Sequence, residues 1–483
     1  MDRVIYSPAS KISHRRLWRA TAALMLFLLA SSTNANEQAI LEGERFHPVQ
    51  GSQGMVATSH TLATEVALKV LKDGGNAIDA AVTAGFALAV TQPRSGNIGG
   101  GGFLVYSPGN GDAPEAIDYR ETAPAAATET MFQDQDGNVV SERSRFSHKA
   151  AGVPGTVAGL ALALERHGTL SLSQALAPAI RLAREGFVVP HRFTEGLEQA
   201  RDRLERWPAT RATFYKKDGS APQPGEVFRQ PELADTLQRI AEQGVKGFYE
   251  GETAQLIVAE MQRGEGLITL EDLRNYEPAV RQPVHGTYRG FDIYSMSPPS
   301  SGGTHIVQIL NILEDYPIGE WGHNSANTIH HMAEAMKLAY AARSEYLGDT
   351  DFVAVPLEGL TSKGYADQLR TSIKADKARP ASEIAPGKPG PWESPETTHF
   401  SVVDRWGNAV SNTYTINFSY GSGITVAGAG FLLNNEMDDF SAKPGVPNAY
   451  GLIGGEANKV EPGKRMLSSM SPTIVLKDGE PFL

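Results

Sequence analysis

The sequence contains no cysteine among its 483 residues. This absence excludes a disulfide scaffold, a thiolate nucleophile, an iron–sulfur cluster and a zinc site built on thiolates. Any nucleophile must therefore be Ser, Thr, Lys or a carboxylate. An excess of positive charge is also lacking, because 44 Lys and Arg stand against 55 Asp and Glu and give a net charge of −11. Such a chain has no basic footprint for nucleic acid or anionic lipid, so we expect a small molecule or a peptide as its partner.

A long hydrophobic run is missing as well, and this decides how the N-terminus is interpreted. Basic residues between Lys11 and Arg19 precede an uncharged apolar run from Ala20 to Ala30, and Thr33-Asn34-Ala35 then supplies small residues. A membrane-spanning helix needs about 20 apolar residues, roughly twice what this run offers. The pattern predicts a secretory signal peptide over residues 1–35, no stable membrane anchor, and a periplasmic or secreted protein.

The composition is that of a large globular chain, with 41% hydrophobic and 20% charged residues. Apolar residues recur at helical spacing from Leu62 to Lys72, and Asn76 can cap a second helix over Ala77 to Val90. The glycine run Gly99 to Gly102 follows a helix and precedes a strand, the reverse of the order in a nucleotide-binding loop. We expect a tightly packed backbone turn there, and we expect neither a cofactor nor a metal ion.

A linker rich in proline and glycine extends from Pro380 to Glu396. It can neither continue a helix nor pair as a central strand, so we expect it to be exposed. The alternating residues Thr397 to Asp404 follow it directly and predict a β-strand. A polar residue at the start of a strand, just after a cleavable linker, is where a processed N-terminal nucleophile would stand.

A second alternating strand is predicted from Ala409 to Phe418, which makes a hairpin with the first. The polar faces of the two strands match when the loop has three residues and Gly407 takes the left-handed position. In this register Thr397 lies opposite Thr415, and Asn417 follows on the same face.

These residues resemble a known family. The run Thr397 to Asp404, with Gly407-Asn408-Ala409-Val410 after it, is similar to the start of the small subunit of γ-glutamyltransferases, which are self-cleaving N-terminal-nucleophile hydrolases. Other stretches that resemble the signatures of this family are Gly74 to Ala81, Ser95-Gly96 with Gly99 to Gly102, Asp118 to Pro124, Pro298 to Gly303, Leu433 to Phe440 and Leu467 to Thr473. The matches cover nearly the whole chain after the leader.

The resemblance implies an α/β (α+β) fold, a four-layer αββα sandwich of the N-terminal-nucleophile hydrolase type. It implies one precursor cut into a large subunit, residues 36–396, and a small subunit that starts at residue 397. Thr397 would be the nucleophile, with its own free amine as base, and Thr415 would hold it in position. The small subunit of the family continues past the position of Leu483, so we expect a truncated precursor with an incomplete sandwich.

The resemblance also assigns residues to a γ-glutamyl group. Arg120 would bind the α-carboxylate; Asn417, Glu436 and Asp439 would surround the α-amino group; Ser468 and Ser469 would also bind the carboxylate. A zwitterion requires such a set, because a planar guanidinium suits a carboxylate and a carboxylate suits an ammonium. The glycine- and proline-rich segment 444–455 has one aromatic residue, Tyr450, and predicts a lid over the site.

The predicted reaction transfers the γ-glutamyl group of glutathione or related amides through a Thr397 ester to water, amino acids or peptides. One alternative is a glutaryl-type (cephalosporin) acylase on the same scaffold, which has no need of carboxylates for an α-amino group. The other is an uncleaved, inert binding protein that resembles the precursor.

Overall fold

The computed structural model describes residues 49–380, 383–384 and 398–483. Residues Ser52–Leu483 form one compact unit. The predicted signal peptide, most of the proline-rich linker and the predicted nucleophile Thr397 lie outside the described residues.

The strands belong to three antiparallel sheets. Their bounds are β1 Gly54–Ala57, β2 Gly101–Ser107, β3 Glu115–Asp118, β4 Phe187–Val188, β5 Val227–Phe228, β6 Ala279–Arg281, β7 Val284–Tyr288, β8 Phe291–Ser295, β9 Thr398–Asp404, β10 Ala409–Thr415, β11 Thr473–Lys477 and β12 Glu480–Pro481. The first sheet has the order β1-β9-β10-β2-β3-β6, the second β12-β11-β8-β7, and β4 pairs with β5. The first sheet therefore combines strands of both predicted subunits, with β9 and β10 lying between β1 and β2.

The helices surround the two larger sheets. Their bounds are α1 Thr61–Lys72, α2 Ala77–Thr91, α3 Ser141–Arg145, α4 Thr156–His167, α5 Leu172–Glu185, α6 His191–Gln199, α7 Arg201–Leu204, α8 Pro208–Phe214, α9 Pro231–Gln243, α10 Lys246–Tyr249, α11 Gly251–Arg263, α12 Leu270–Arg274, α13 Gly302–Leu313, α14 Ile318–Trp321, α15 Ala326–Tyr346, α16 Leu357–Leu360 and α17 Lys363–Arg370. Short 3-10 helices cover His148–Ala150, Glu436–Asp439 and Glu456–Asn458. Within the described ranges, none of these helices has the length and apolar character that crossing a bilayer requires.

The elements stack in four layers, as the αββα prediction requires. Helix α2 packs on β9 and β10, and the opposite face of that sheet packs on β11 of the second sheet. Helix α13 covers β7 and β8 on the outer face of the second sheet and contacts α15. The apolar side chains between the sheets include Phe103, Val105, Met296 and Ile474. A separate and larger core lies between the first sheet and the helices around α2.

Helix α2 is the central helix of this larger core. Its side chains are all buried, which fits a sequence that is apolar on every side. The side chain of Asn76 accepts a hydrogen bond from the backbone of Asp79, and the Asp79 carboxylate accepts one from the backbone of Asn76. This reciprocal cap satisfies two backbone N–H groups and fixes where the helix starts. The two predicted helices are thus confirmed, each extended by one residue at one end.

The hairpin has the predicted register. Thr413 lies opposite His399, and Tyr414 lies opposite Thr398. Gly407 has a φ of 82°, the left-handed conformation that the three-residue loop requires. The second strand is shorter than predicted, because it ends at Thr415 rather than at residue 418. The cause is a φ of 72° at Asn417, which turns the chain out of the extended conformation.

Gly99 and Gly100 form the expected tightly packed turn beside the end of β10, whereas Gly101 and Gly102 already belong to β2. A Cβ atom on Gly100 would lie 2.0 Å from the backbone oxygen of Thr415, and one on Gly99 would lie 2.2 Å from that of Leu432. Gly101 pairs with Thr415 in the ladder. Only glycine allows the two backbones to approach this closely. The turn brings β2, and β3 next to it, beside the strand end where the predicted site residues begin.

Candidate active site

Arg120 lies two residues beyond the end of β3 and is the centre of a buried ionic cluster. Its side chain is 0% exposed, and its Nη1 donates to Oε2 of Glu436 at 2.6 Å. Its Nη2 donates to Oδ2 of Asp439 at 2.5 Å, and its Nε donates to the backbone oxygen of Met466 at 3.2 Å. The two carboxylates are three residues apart on the 3-10 turn Glu436–Asp439, so they lie on the same side of it. One planar guanidinium therefore binds both carboxylates.

Burial controls the electrostatics of this cluster. Desolvation raises the pKa of Glu436 to about 8, although the nearby Arg120 charge acts to lower it. Burial also raises the pKa of Asp439 above its ordinary value, again against the effect of Arg120. Among the described residues, Oε1 of Glu436 has no hydrogen-bond partner. An ammonium group of a ligand would supply both a donor for this oxygen and a charge that lowers both pKa values.

The left-handed residue Asn417 joins the strand end to the carboxylate turn. Its backbone N–H donates to the hydroxyl oxygen of Thr415 at 2.8 Å, and its Nδ2 donates to the backbone oxygen of Asn435 at 2.9 Å. Its remaining side-chain oxygen accepts a hydrogen bond from the hydroxyl of Tyr450. Asn417 is 4% exposed, and its contacts with Thr415 and Asn435 are buried, whereas the contact with Tyr450 is partly buried.

The predicted lid segment, residues 444–455, is attached to the same turn. The backbone N–H of Ala449 donates to Oδ2 of Asp438 at 3.0 Å, and Nδ2 of Asn448 lies 3.5 Å from Oδ1 of Asp439. The Tyr450 ring stacks edge-on against Phe418, with 5.4 Å between the ring centroids. The segment therefore lies over the carboxylates, and its closing motion stays a prediction.

Ser468 and Ser469 are close to Arg120 because the backbone oxygen of Met466, two residues before Ser468, accepts a hydrogen bond from the Arg120 side chain. The hydroxyl of Ser468 accepts from the backbone N–H of Met470 at 3.0 Å. The hydroxyl oxygen of Ser469 is buried and has no hydrogen-bond partner among the described residues. A buried hydroxyl without a partner is costly unless a ligand or water satisfies it, so Ser469 is the better candidate for a direct ligand contact.

Sequence reasoning missed one member of the cluster, Glu121. Its carboxylate is fully buried and 3.6 Å from Nη1 of Arg120. Neither of its oxygens has a hydrogen-bond partner among the described residues. Desolvation and the neighbouring Glu436 raise the pKa of Glu121 well above its ordinary value, which favours the protonated form of this side chain. Its position directly after Arg120 was the available signal, but adjacent residues usually point in different directions.

The structure thus brings together all the predicted site residues that it describes. Thr397 is outside the described residues and immediately precedes Thr398, the first residue of β9. Within the described part of the chain, no group of three or more His, Asp or Glu side chains is arranged to hold a metal ion.

The four-layer fold, with polar residues gathered where the central hairpin strands open, is that of an N-terminal-nucleophile hydrolase. A family model described as Gamma-glutamyltranspeptidase matches residues 63–483. The chain belongs to this family of enzymes.

Individual relatives agree with this assignment. The chain is 53% identical to the glutathione hydrolase proenzyme of Escherichia coli strain K12 over 444 residues, which are 92% of this chain and 76% of the relative. The crystal structure of the Helicobacter pylori gamma-glutamyltranspeptidase is similar with a TM-score of 0.69 and 47% identity, covering 72% of this chain and 100% of that one. The crystal structure of the cephalosporin acylase from Bacillus halodurans is similar with a TM-score of 0.77 and 30% identity, and the match covers 92% of this chain and 78% of the acylase.

Proposed function

We propose that this protein is a self-processing γ-glutamyl acyltransferase and hydrolase. It cleaves the γ-glutamyl amide of glutathione and related compounds and transfers the acyl group to water, amino acids or peptides. The observation that carries the proposal is the Arg120 fork with Glu436 and Asp439, next to the unpartnered oxygens of Glu436 and Ser469. This cluster offers groups of both charges to a ligand that itself carries a carboxylate and an ammonium.

The proposed binding mode uses these charges directly. The α-ammonium of the donor contacts Glu436 and Asp439, and its α-carboxylate contacts Arg120 and the hydroxyls of Ser468 and Ser469. Arg120 has five N–H donors, and the three hydrogen bonds to protein groups leave two for the ligand. Charge-assisted contacts of this kind, made away from water, give both affinity and orientation.

The polar contacts at the strand end complete this mode. Asn417 supports the donor from the side of β10, and Tyr450 holds Asn417 from the lid segment. Thr415 follows Tyr414, whose partner in the β9–β10 ladder is Thr398. In the predicted register Thr415 is therefore opposite Thr397, and it supports the nucleophile.

Thr397 performs the chemistry in this proposal. Its hydroxyl first attacks the carbonyl carbon of Glu396, and the C–N bond between Glu396 and Thr397 breaks, which leaves an ester on the threonine oxygen and a free α-amino group. Water then hydrolyses this ester and divides the chain into a large subunit, residues 36–396, and a small subunit from residue 397. The new α-amino group, with an ordinary pKa of about 8, then takes the hydroxyl proton as the oxygen bonds to the γ-carbonyl carbon of the donor. The C–N bond breaks and the proton passes to the leaving amine. Water or an acceptor amine later attacks the ester carbonyl, so that the C–O bond breaks, the glutamyl group leaves with the new nucleophile, and a proton returns to the Thr397 oxygen.

A glutaryl-type acylase is the second candidate, favoured by the similarity to the cephalosporin acylase. A glutaryl group carries no α-ammonium, so it would leave the pair Glu436 and Asp439 without a cationic partner from the ligand. The two carboxylates therefore favour the γ-glutamyl donor. We place the mature protein in the periplasm or outside the cell, on the strength of the leader pattern in residues 1–35.

The experiment is to compare the full chain with its Thr397→Ala and Thr397→Ser variants. Gels with N-terminal sequencing follow processing, and release of a γ-glutamyl anilide follows turnover. The Ala variant is expected to remain a single chain without turnover, and the Ser variant to process slowly because it keeps a hydroxyl. Two subunits from the Ala variant, or faster turnover of a glutaryl anilide by the unmodified protein, would overturn the proposal.

A further inference from the structure

A second buried arginine lies behind the donor site. Arg343 belongs to the last turn of α15, and it is 3% exposed. Its Nε donates to the hydroxyl oxygen of Ser301 at 3.3 Å. Within the described part of the chain, no carboxylate oxygen lies within 4.0 Å of its nitrogens, and neither Nη1 nor Nη2 makes a hydrogen bond. Arg343 is thus a buried cation without an ion-pair partner.

Such a group is unfavourable unless another charge compensates it. Burial lowers the pKa of Arg343 to about 10, the nearby Asp439 carboxylate acts to raise it, and the Arg120 charge acts to lower it. The guanidinium therefore interacts with the same charges that form the donor site, although it does not touch them. At neutral pH it remains protonated.

Arg343 is also connected to the serine pair through one residue. The backbone N–H and the hydroxyl of Ser301 both donate to the backbone oxygen of Ser468, at 2.8 Å and 3.0 Å. The same Ser301 hydroxyl accepts the hydrogen bond from Arg343. The guanidinium therefore polarises and orients a hydroxyl that holds the turn carrying Ser468 and Ser469.

The charges of the site show why a second cation is useful. Once the ammonium of a bound donor has lowered the pKa values of Glu436 and Asp439, both carboxylates are ionised, and Arg120 neutralises only one of their two negative charges. At Glu121, desolvation and the neighbouring Glu436 raise the pKa well above its ordinary value and so disfavour a further negative charge. A zwitterionic donor has no net charge, so the occupied site would keep one negative charge, unfavourable for the donor's carboxylate, unless Arg343 supplies the missing positive one.

We infer that Arg343 is a specificity-determining positioning residue, which favours donors with an α-carboxylate by balancing the charge of the site and by holding the Ser468–Ser469 turn through Ser301. The inference rests on the proposed function. It assigns Arg343 no contact with the reacting atoms, so its effect should depend on whether the substrate carries the α-carboxylate.

The test compares two anilide substrates that differ only in this group, the γ-glutamyl anilide and the 4-aminobutanoyl anilide. Arg343→Met removes the charge and keeps an unbranched side chain of moderate length; Arg343→Lys keeps the charge and loses the planar group. We expect Arg343→Met to lower kcat/KM for the γ-glutamyl anilide by about 10- to 100-fold, mainly through KM, since the site loses the positive charge that balances the α-carboxylate of the donor. The 4-aminobutanoyl anilide should change by less than about 3-fold, and Arg343→Lys should recover part of the discrimination.

The matched control is Arg239→Met on α9, where a partly buried arginine bonds Thr236 and Thr253. It should leave the ratio of the two substrates unchanged. Equal losses of both substrates with Arg343→Met, or no loss of either, would overturn the inference. If Arg343→Met does not fold, the same comparison is made with Arg343→Lys, through the ratio of its kcat/KM values for the γ-glutamyl and the 4-aminobutanoyl anilide. Failure of the proposed function is distinct, because the unmodified protein would then not release the γ-glutamyl anilide.

Discussion

Replacing Arg120 by lysine tests the ionic cluster, because this change keeps the positive charge and removes the planar fork. The guanidinium donates at 2.6 Å to Glu436, at 2.5 Å to Asp439 and at 3.2 Å to the backbone of Met466. A lysine ammonium is a point donor on a flexible stem and cannot hold this coplanar set. At least one carboxylate should lose its charge-assisted hydrogen bond, and the carboxylate of the donor should lose its bidentate partner.

The size of the effect follows from the loss of one such bond. A hydrogen bond to a charged group contributes about 1.5–3 kcal/mol. At about 1.36 kcal/mol for each factor of ten, kcat/KM for a γ-glutamyl anilide should fall by about 10- to 150-fold. The loss stays below complete inactivation because lysine retains the charge that the two carboxylates require.

The assay measures anilide release by the processed Arg120→Lys variant, with the extent of self-cleavage followed on gels. Processing should be unaffected, because in the proposed mechanism it requires Thr397 and the preceding peptide bond but no donor. A variant with unchanged kcat/KM would show that the fork does not bind the donor. A variant that fails to process would instead show that the cluster supports the fold around the cleavage site.

Two further substitutions examine the carboxylates separately. Asp439→Asn should weaken turnover of the γ-glutamyl anilide by a similar factor while changing that of a glutaryl anilide much less, because only the first carries an ammonium; equal losses in kinetic assays would favour the acylase. Glu436→Gln tests how the stability of the fold depends on pH. The pKa of Glu436 is about 8 in the native state and about 4.5 in the unfolded chain, so between these two pH values the native state holds a proton that the unfolded chain has released. Wild-type stability should therefore fall relative to Glu436→Gln as pH rises from about 4.5 to 8, and thermal melts whose separation does not change over this range would contradict the raised pKa.

Local sequence patterns predicted those parts of the fold that depend on neighbours in the chain. The Asn76 cap and the loop with Gly407 depend on a few adjacent residues, and both are present as expected. The end of β10 was misjudged, because the alternation of polar and apolar residues continues through Asn417 while its backbone turns into the left-handed region. Such a turn depends on contacts with Asn435 and Tyr450, which are distant in sequence.

In the site, too, local sequence patterns identified individual residues but not the contacts between residues that are distant in the chain. Motif resemblance named Arg120, Glu436 and Asp439, but no pattern indicated that one guanidinium would bind both carboxylates. Arg343 was not predicted at all, since an arginine on a helix usually faces solvent. Its burial follows from the packing of α15 against α13 in the outer layer, which the residues around it do not encode locally.

The most direct test of the proposed mechanism is to locate the acyl-enzyme. The full-length protein is mixed with a γ-glutamyl anilide, quenched in acid during turnover and mapped by peptide mass spectrometry. The proposed mechanism predicts a peptide that begins with Thr397 as a free N-terminus and carries the added mass of one glutamyl residue on that threonine. A glutamyl ester on any other residue, or turnover by an uncleaved chain, would contradict it.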